Sequence, residues 1–114
     1  MSSALDWNRE GRIWPHREAS SFVPSGGATW HVQRMGPSGA PQVLLLHGTG
    51  ASVHSWRDVM PLLAADHDCI AIDLPRHAFT SGHSVEHTAL PRMAEKVAGL
   101  IADLGLDPAI VVGH

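Results

Sequence analysis

Gln42-Val43-Leu44-Leu45-Leu46-His47-Gly48-Thr49-Gly50 is an apolar run that ends in a glycine-bearing turn. The nearly unbroken stretch Gln42 to Leu46 suits a parallel strand buried on both faces, and His47-Gly48-Thr49-Gly50 then predicts a sharp reversal. Ala109-Ile110-Val111-Val112 repeats the pattern and runs into Gly113-His114. Two buried parallel strands, each ending in a turn, frame everything between them.

Upstream, Ser21-Phe22-Val23 and Thr29-Trp30-His31-Val32-Gln33-Arg34 are β-prone runs joined by Pro24-Ser25-Gly26-Gly27, which predicts a hairpin. Alternation puts Trp30, Val32 and Arg34 on one side of the second strand and Thr29, His31 and Gln33 on the other, as for a half-exposed strand. Residues 1–19 have no period. They form an irregular segment whose indoles, Trp7 and Trp14, anchor it to the domain. Residues 20–114 read as one incomplete domain.

Downstream, Ser55 and Asp58 have capping-box spacing, and Pro61 fits an early helical position, so a helix is expected through Ala65. Cys69 to Ile72 is the next strand. It ends at Asp73-Leu74-Pro75-Arg76-His77, and a polar loop follows. Leu90, Met93, Val97, Leu100, Ile101 and Leu104 recur at helical steps, which predicts a helix beginning near Pro91 and stopping at Gly105. The order hairpin, strand, helix, strand, helix, strand demands an α/β fold, with an antiparallel hairpin leading into a mostly parallel sheet covered by helices.

The 114 residues are 44% hydrophobic and 17% charged, the balance of an ordinary globular chain. A formal net charge of −3 without a Lys/Arg cluster gives no footprint for nucleic acid. No transmembrane or signal segment is visible, and Cys69, the single cysteine, reads as a buried inert thiol. A cytosolic location follows, with peripheral membrane contact left open.

A glycine-bearing turn between a parallel strand and a helix can cradle a phosphate or an oxyanion. For a dinucleotide site, Gly48-x-Gly50 lacks the third glycine, where Val53 stands, although Asp73 mimics the ribose-binding acid. Val53 would hinder close helix packing, and neither the hairpin nor Gly113-His114 has a role in that motif. For acyl transfer all three fit, because Gly113-His114 begins a G-x-S-x-G turn in which a serine comes next. The sequence is therefore expected to be the N-terminal part of a longer domain, truncated at its nucleophile elbow.

His47-Gly48-Thr49-Gly50, Asp73-Leu74-Pro75-Arg76-His77 and Val111-Val112-Gly113-His114 together resemble the successive signatures of the α/β-hydrolase family. The resemblance implies an oxyanion loop with the Thr49 backbone N–H as donor, shaped by His47, Gly48 and Gly50, and a nucleophile elbow opening at Gly113 and His114. Asp73 is then a structural acid, and the triad serine, acid and histidine lie outside these residues. Without them the 114 residues alone are expected to be inactive. The family's usual run is close to D-L-P-G-H-G, so Arg76 and Ala78 stand where glycines are usual. If the turn needs positive φ there, each carries about 1 kcal/mol of strain or more.

The N-terminal third, with Trp14-Pro15-His16-Arg17-Glu18-Ala19-Ser20, Trp30-His31-Val32-Gln33-Arg34-Met35-Gly36 and His54-Ser55-Trp56-Arg57, is similar to the magnesium-chelatase accessory proteins of bacteriochlorophyll synthesis. That resemblance implies a place in magnesium-tetrapyrrole metabolism, with serine-type cleavage of a small-molecule ester or tetrapyrrole substrate. Magnesium chelatase is the implied partner. Non-catalytic binding of a porphyrin or of the chelatase is the alternative on the same fold. No cofactor and no metal site is expected: His77, His83 and His87 fall at steps of six and four in a loop without helical alignment, and read as solvated loop histidines. Trp56, with Val59, Met60 and Leu63 at helical spacing, reads as core.

Overall fold

The computed structural model describes residues 5–114, so the first four residues of the irregular N-terminal segment lie outside the described part. β1 (Ser20–Ser25), β2 (Ala28–Met35), β3 (Gln42–Leu46), β4 (Asp68–Ile72) and β5 (Ile110–Gly113) form one sheet in the order β1-β2-β4-β3-β5. β3 pairs in parallel with both β4 and β5, and the hairpin joins antiparallel through β2 and β4.

The hairpin turn is tighter than the sequence suggests. β1 runs through Pro24 to Ser25, leaving Gly26 and Gly27 as a two-residue loop with φ of 61° and 81°, the positive values such loops require. Pro24 is tolerated because β1 is an edge strand. Its partner Thr29 exchanges both backbone hydrogen bonds with Ser81 instead, so no ladder bond is lost.

The sheet is covered on both faces. On one, Trp30, Val32, Leu44, Ile70 and Ile72 pack against Val97 and Leu100 of α2 (Leu90–Asp103). Gly105 then ends α2 with φ 65°, while the Leu106 N–H reaches back to the Ile101 carbonyl. Leu90 departs from its expected place on this face and is exposed. On the other face, Val43, Leu45, Cys69 and Ala71 meet Val53 and Met60, with the partly buried Trp56 packed against them as expected, whereas Val59 is exposed. Cys69 is fully buried, and burial pushes its thiol up to about 11, as an inert thiol requires.

Two expectations are corrected here. The helix after the glycine turn is broken into a 3₁₀ turn, Val53–Trp56, and a four-residue α1, Met60–Leu63. Its cap is Ser52, whose hydroxyl accepts the His54 N–H, and not Ser55. β2 is not half-exposed either: Trp30, His31, Val32 and Gln33 are all buried. The N-terminal segment supplies the missing cover. The Gln33 side-chain amide donates to the carbonyls of Pro15 and His16, and Trp7 packs edge-on against Phe22 and Phe79. Trp14 packs on Phe79 and His54, so both indoles anchor the segment to its own sheet.

At the junction of hairpin and parallel sheet, Arg34 grips Asp68 with two hydrogen bonds of 2.9 and 2.6 Å. That guanidinium holds the Asp68 carboxyl below its usual range. The turn after β4 is strained, with φ of 65° at Arg76 and 44° at Ala78. Each side chain costs about 1 kcal/mol there. Arg76→Gly and Ala78→Gly are therefore each expected to raise stability by up to about that amount, less the backbone entropy glycine adds to the unfolded chain. Chemical denaturation with an unchanged m-value checks this.

Candidate functional site

β3 is crossed in two directions: the chain leaves it for β4 on one side and returns past it to β5 on the other. Such a reversal opens a crevice at the carboxyl ends of the two strands. Leu46 is in register with Gly113, and the His114 N–H donates to the Leu46 carbonyl at 3.1 Å. His47-Gly48-Thr49-Gly50 and Gly113-His114, far apart in the sequence, thus share one end of the sheet.

Inside the turn the glycines do different things. Gly50 takes φ 82°, a conformation that side chains resist. Gly48 does not need that freedom, but a Cβ on it would lie 3.0 Å from His114 Nδ1, so it permits close approach of the two turns. Thr49 is exposed, and among the described residues no acceptor takes its N–H. An uncommitted amide at the end of a buried parallel strand is a ready donor for developing negative charge.

Two histidines brace the turn. His47 is buried; its Nε2 accepts the Leu74 N–H at 2.9 Å, and its Nδ1 donates to the Gly48 carbonyl at 2.8 Å. Both contacts fix a neutral δ-protonated ring, and burial holds its pKa below the ordinary histidine value. His77 takes the same tautomer: Nδ1 donates to the Pro75 carbonyl and Nε2 accepts the Gly50 N–H at 3.0 Å. The two rings lie 4.9 Å apart. His47 was visible in the motif, whereas the hold of His77 on Gly50 had no sequence signal.

Asp73 is fully buried and committed. Oδ2 accepts from His31 Nδ1 at 2.7 Å and from the Phe79 N–H at 3.2 Å, and Oδ1 accepts the Val53 N–H at 2.9 Å. It has no free oxygen for a ribose hydroxyl, and the dinucleotide reading loses its acid. On the far side of His31, Nε2 lies 2.8 Å from the Ser20 hydroxyl. Ser20, His31 and Asp73 have the hydrogen-bond order of a catalytic triad, but Trp7, Phe22 and Phe79 enclose the imidazole. The arrangement is a structural clamp.

The loop histidines do not behave alike. His83 is buried rather than solvated, with its ring edge-on to Trp30 at 4.7 Å. Neither ring nitrogen has a partner among the described residues. His87 caps a 3₁₀ turn, Val85–Thr88, by accepting the Ser84 N–H. Burial pushes the His83 pKa down to about 4, with His87 and Lys96 adding repulsion. A depressed histidine favours its neutral form in the fold, so its contribution is intact above the unfolded value near 6.5 and is lost as pH falls toward about 4. His83→Leu is expected to flatten that acid decline and to raise Tm more at pH 5 than at pH 7.5, which thermal melts at the two pH values would show.

The sequence profile of the family described as alpha/beta hydrolase fold matches residues 41–114. The magnesium-chelatase 30 kDa subunit of Rhodobacter capsulatus is 40% identical over 101 residues, which are 89% of this chain and 36% of that protein. Epoxide hydrolase A of Mycobacterium tuberculosis is 33% identical over 95 residues, 82% of this chain and 30% of that one. The crystal structure of haloalkane dehalogenase DbeA from Bradyrhizobium elkani superposes with a TM-score of 0.78 and 32% identity, over 83% of this chain and 32% of the other. The chain spans about a third of the length of these relatives.

Proposed function

Because this chain belongs to the alpha/beta hydrolase fold family, we propose that it forms the N-terminal portion of a serine-type ester hydrolase acting in magnesium-tetrapyrrole metabolism. In this reading the Thr49 N–H is one oxyanion donor. His47, Gly48 and Gly50 hold its loop, and Gly113-His114 opens the turn that presents the nucleophile. Residues 20–114 are the first part of a single catalytic domain, with 1–19 as its irregular N-terminal cover.

The observation that carries the reading is the uncommitted Thr49 amide beside the parallel end of β5. A carbonyl attacked by a nucleophile following β5 would develop its negative charge next to that amide. The neutral, δ-protonated His47 and His77 are suited to this, since each orients backbone without adding a charge of its own. The tetrapyrrole pathway and the magnesium chelatase as partner rest on the 40% identity to the chelatase subunit. That same likeness favours a second reading, in which the fold binds a tetrapyrrole or the chelatase without turnover, since the relative is named for its complex and not for a reaction.

Hydrolysis of p-nitrophenyl esters by the complete gene product separates the two. Thr49→Pro removes the donor and is expected to lower kcat by roughly 10²–10³-fold. Thr49→Ala keeps the N–H and should stay near the parent rate, with circular dichroism confirming that both variants fold. Equal rates for the two variants would contradict the oxyanion role, and absence of turnover in the parent would favour the binding reading.

A further inference from the structure

Two cavities meet under the N-terminal segment. The smaller, about 400 Å³, reaches Gly50 of the turn after β3 and the following Ala51 and Ser52, and the larger, about 760 Å³, opens outward past Arg9, Arg12 and Ile13. They share Leu5, Trp14 and His54 as walls and so adjoin, giving a cleft that runs from Gly50 to Arg9 and Arg12.

The polar lining of the outer half is almost all donors. Glu10 contributes the sole carboxylate, and both its oxygens are occupied, one by Arg9 and the other by the Asp6 N–H. Arg12 has no ion-pair partner among the described residues. Arg57 donates to His54 Nδ1, which leaves the His54 proton on Nε2. The Trp14 N–H is itself buried and has no partner among the described residues, so the indole meets the cleft through its apolar ring. The walls between these groups are apolar, with Ile13 exposed at the outer rim.

From this juxtaposition we propose that the cleft is a binding site for a large apolar molecule that carries a carboxylate, with Arg12 pairing the carboxylate and Trp14, Leu5 and Ile13 holding the apolar body. A ligand seated this way extends its other end to Gly50. That an ester group lies at that end rests on the ester-cleaving reading of Thr49; the carboxylate contact does not. The substrate class is then an apolar compound with an ester at one end and a free acid at the other.

Equilibrium titration of the complete gene product with 1-pyrenebutyric acid and with its methyl ester, read by energy transfer from tryptophan, tests the site. The acid is expected to bind about tenfold more tightly than the ester, as a charge-assisted contact in a partly buried cleft gives. Arg12→Gln should remove that preference and leave the ester's affinity unchanged, while Trp14→Phe should weaken both probes and the transfer signal. Equal binding of acid and ester by the parent, or an acid preference that survives Arg12→Gln, overturns the proposal. So does Arg12-dependent pelleting with phosphatidylglycerol-phosphatidylcholine vesicles without binding of the soluble acid, which assigns the cleft to a membrane surface. Hydrolysis of p-nitrophenyl acetate by the parent separates the premises. Turnover without acid preference overturns the cleft alone, and acid preference without turnover supports the cleft and retires the ester-cleaving reading.

Discussion

The Asp73 carboxylate is the contact on which the arrangement depends. Its side chain is fully buried, and three donors from three parts of the chain satisfy it: the β2 imidazole of His31, the Val53 N–H that follows the glycine turn, and the Phe79 N–H beyond β4. A buried carboxylate is tolerated only when such a network is complete. The network also continues outward. Ser20 bridges His31 and Gln33, and Gln33 reaches the Pro15 and His16 carbonyls. One polar chain thus ties the segment after the glycine turn, the hairpin and the N-terminal segment into a single unit.

That connection explains which parts of the fold were legible. β3 and β5 announce themselves as apolar runs, and α2 as a periodic apolar face closed by Gly105, because each signal is local. The expected burial of β5 does not hold, since it is an edge strand here with Ile110 and Val111 exposed. The burial of His31 and Gln33 is not local. It depends on cover from residues 5–19, a stretch with no period, held by two indoles and by backbone carbonyls that any sequence would possess. The Ser52 cap was missed for a related reason, since a four-residue 3₁₀ turn shows no helical period to mark its start. His83 read as a solvated histidine because its burial comes from Trp30, a residue more than fifty positions away.

The site was legible in its motifs but not in its supports. Gly48 and Gly50 were both visible, yet only the structure separates their tasks, close approach to His114 for one and a left-handed backbone for the other. Arg76 and Ala78 show the opposite case. Their strain was conditional in the sequence, and the positive φ of both residues makes it actual. The outer cleft had no motif at all, because its donors come from an irregular segment and from the residues just after the turn.

Relatives named for epoxide hydrolysis, dehalogenation and a magnesium chelatase share this scaffold. The scaffold alone therefore does not choose the chemistry, which belongs to the residues of the site. The most direct measurement is a crystal structure of the complete gene product after reaction with an alkyl phosphonate ester that mimics the tetrahedral intermediate. The phosphoryl oxygen should lie about 2.7–3.1 Å from the Thr49 nitrogen, with the phosphorus bonded to a serine directly after His114. An adduct whose oxygen points away from Thr49, or a turn left unmodified while the protein remains folded, would contradict the account.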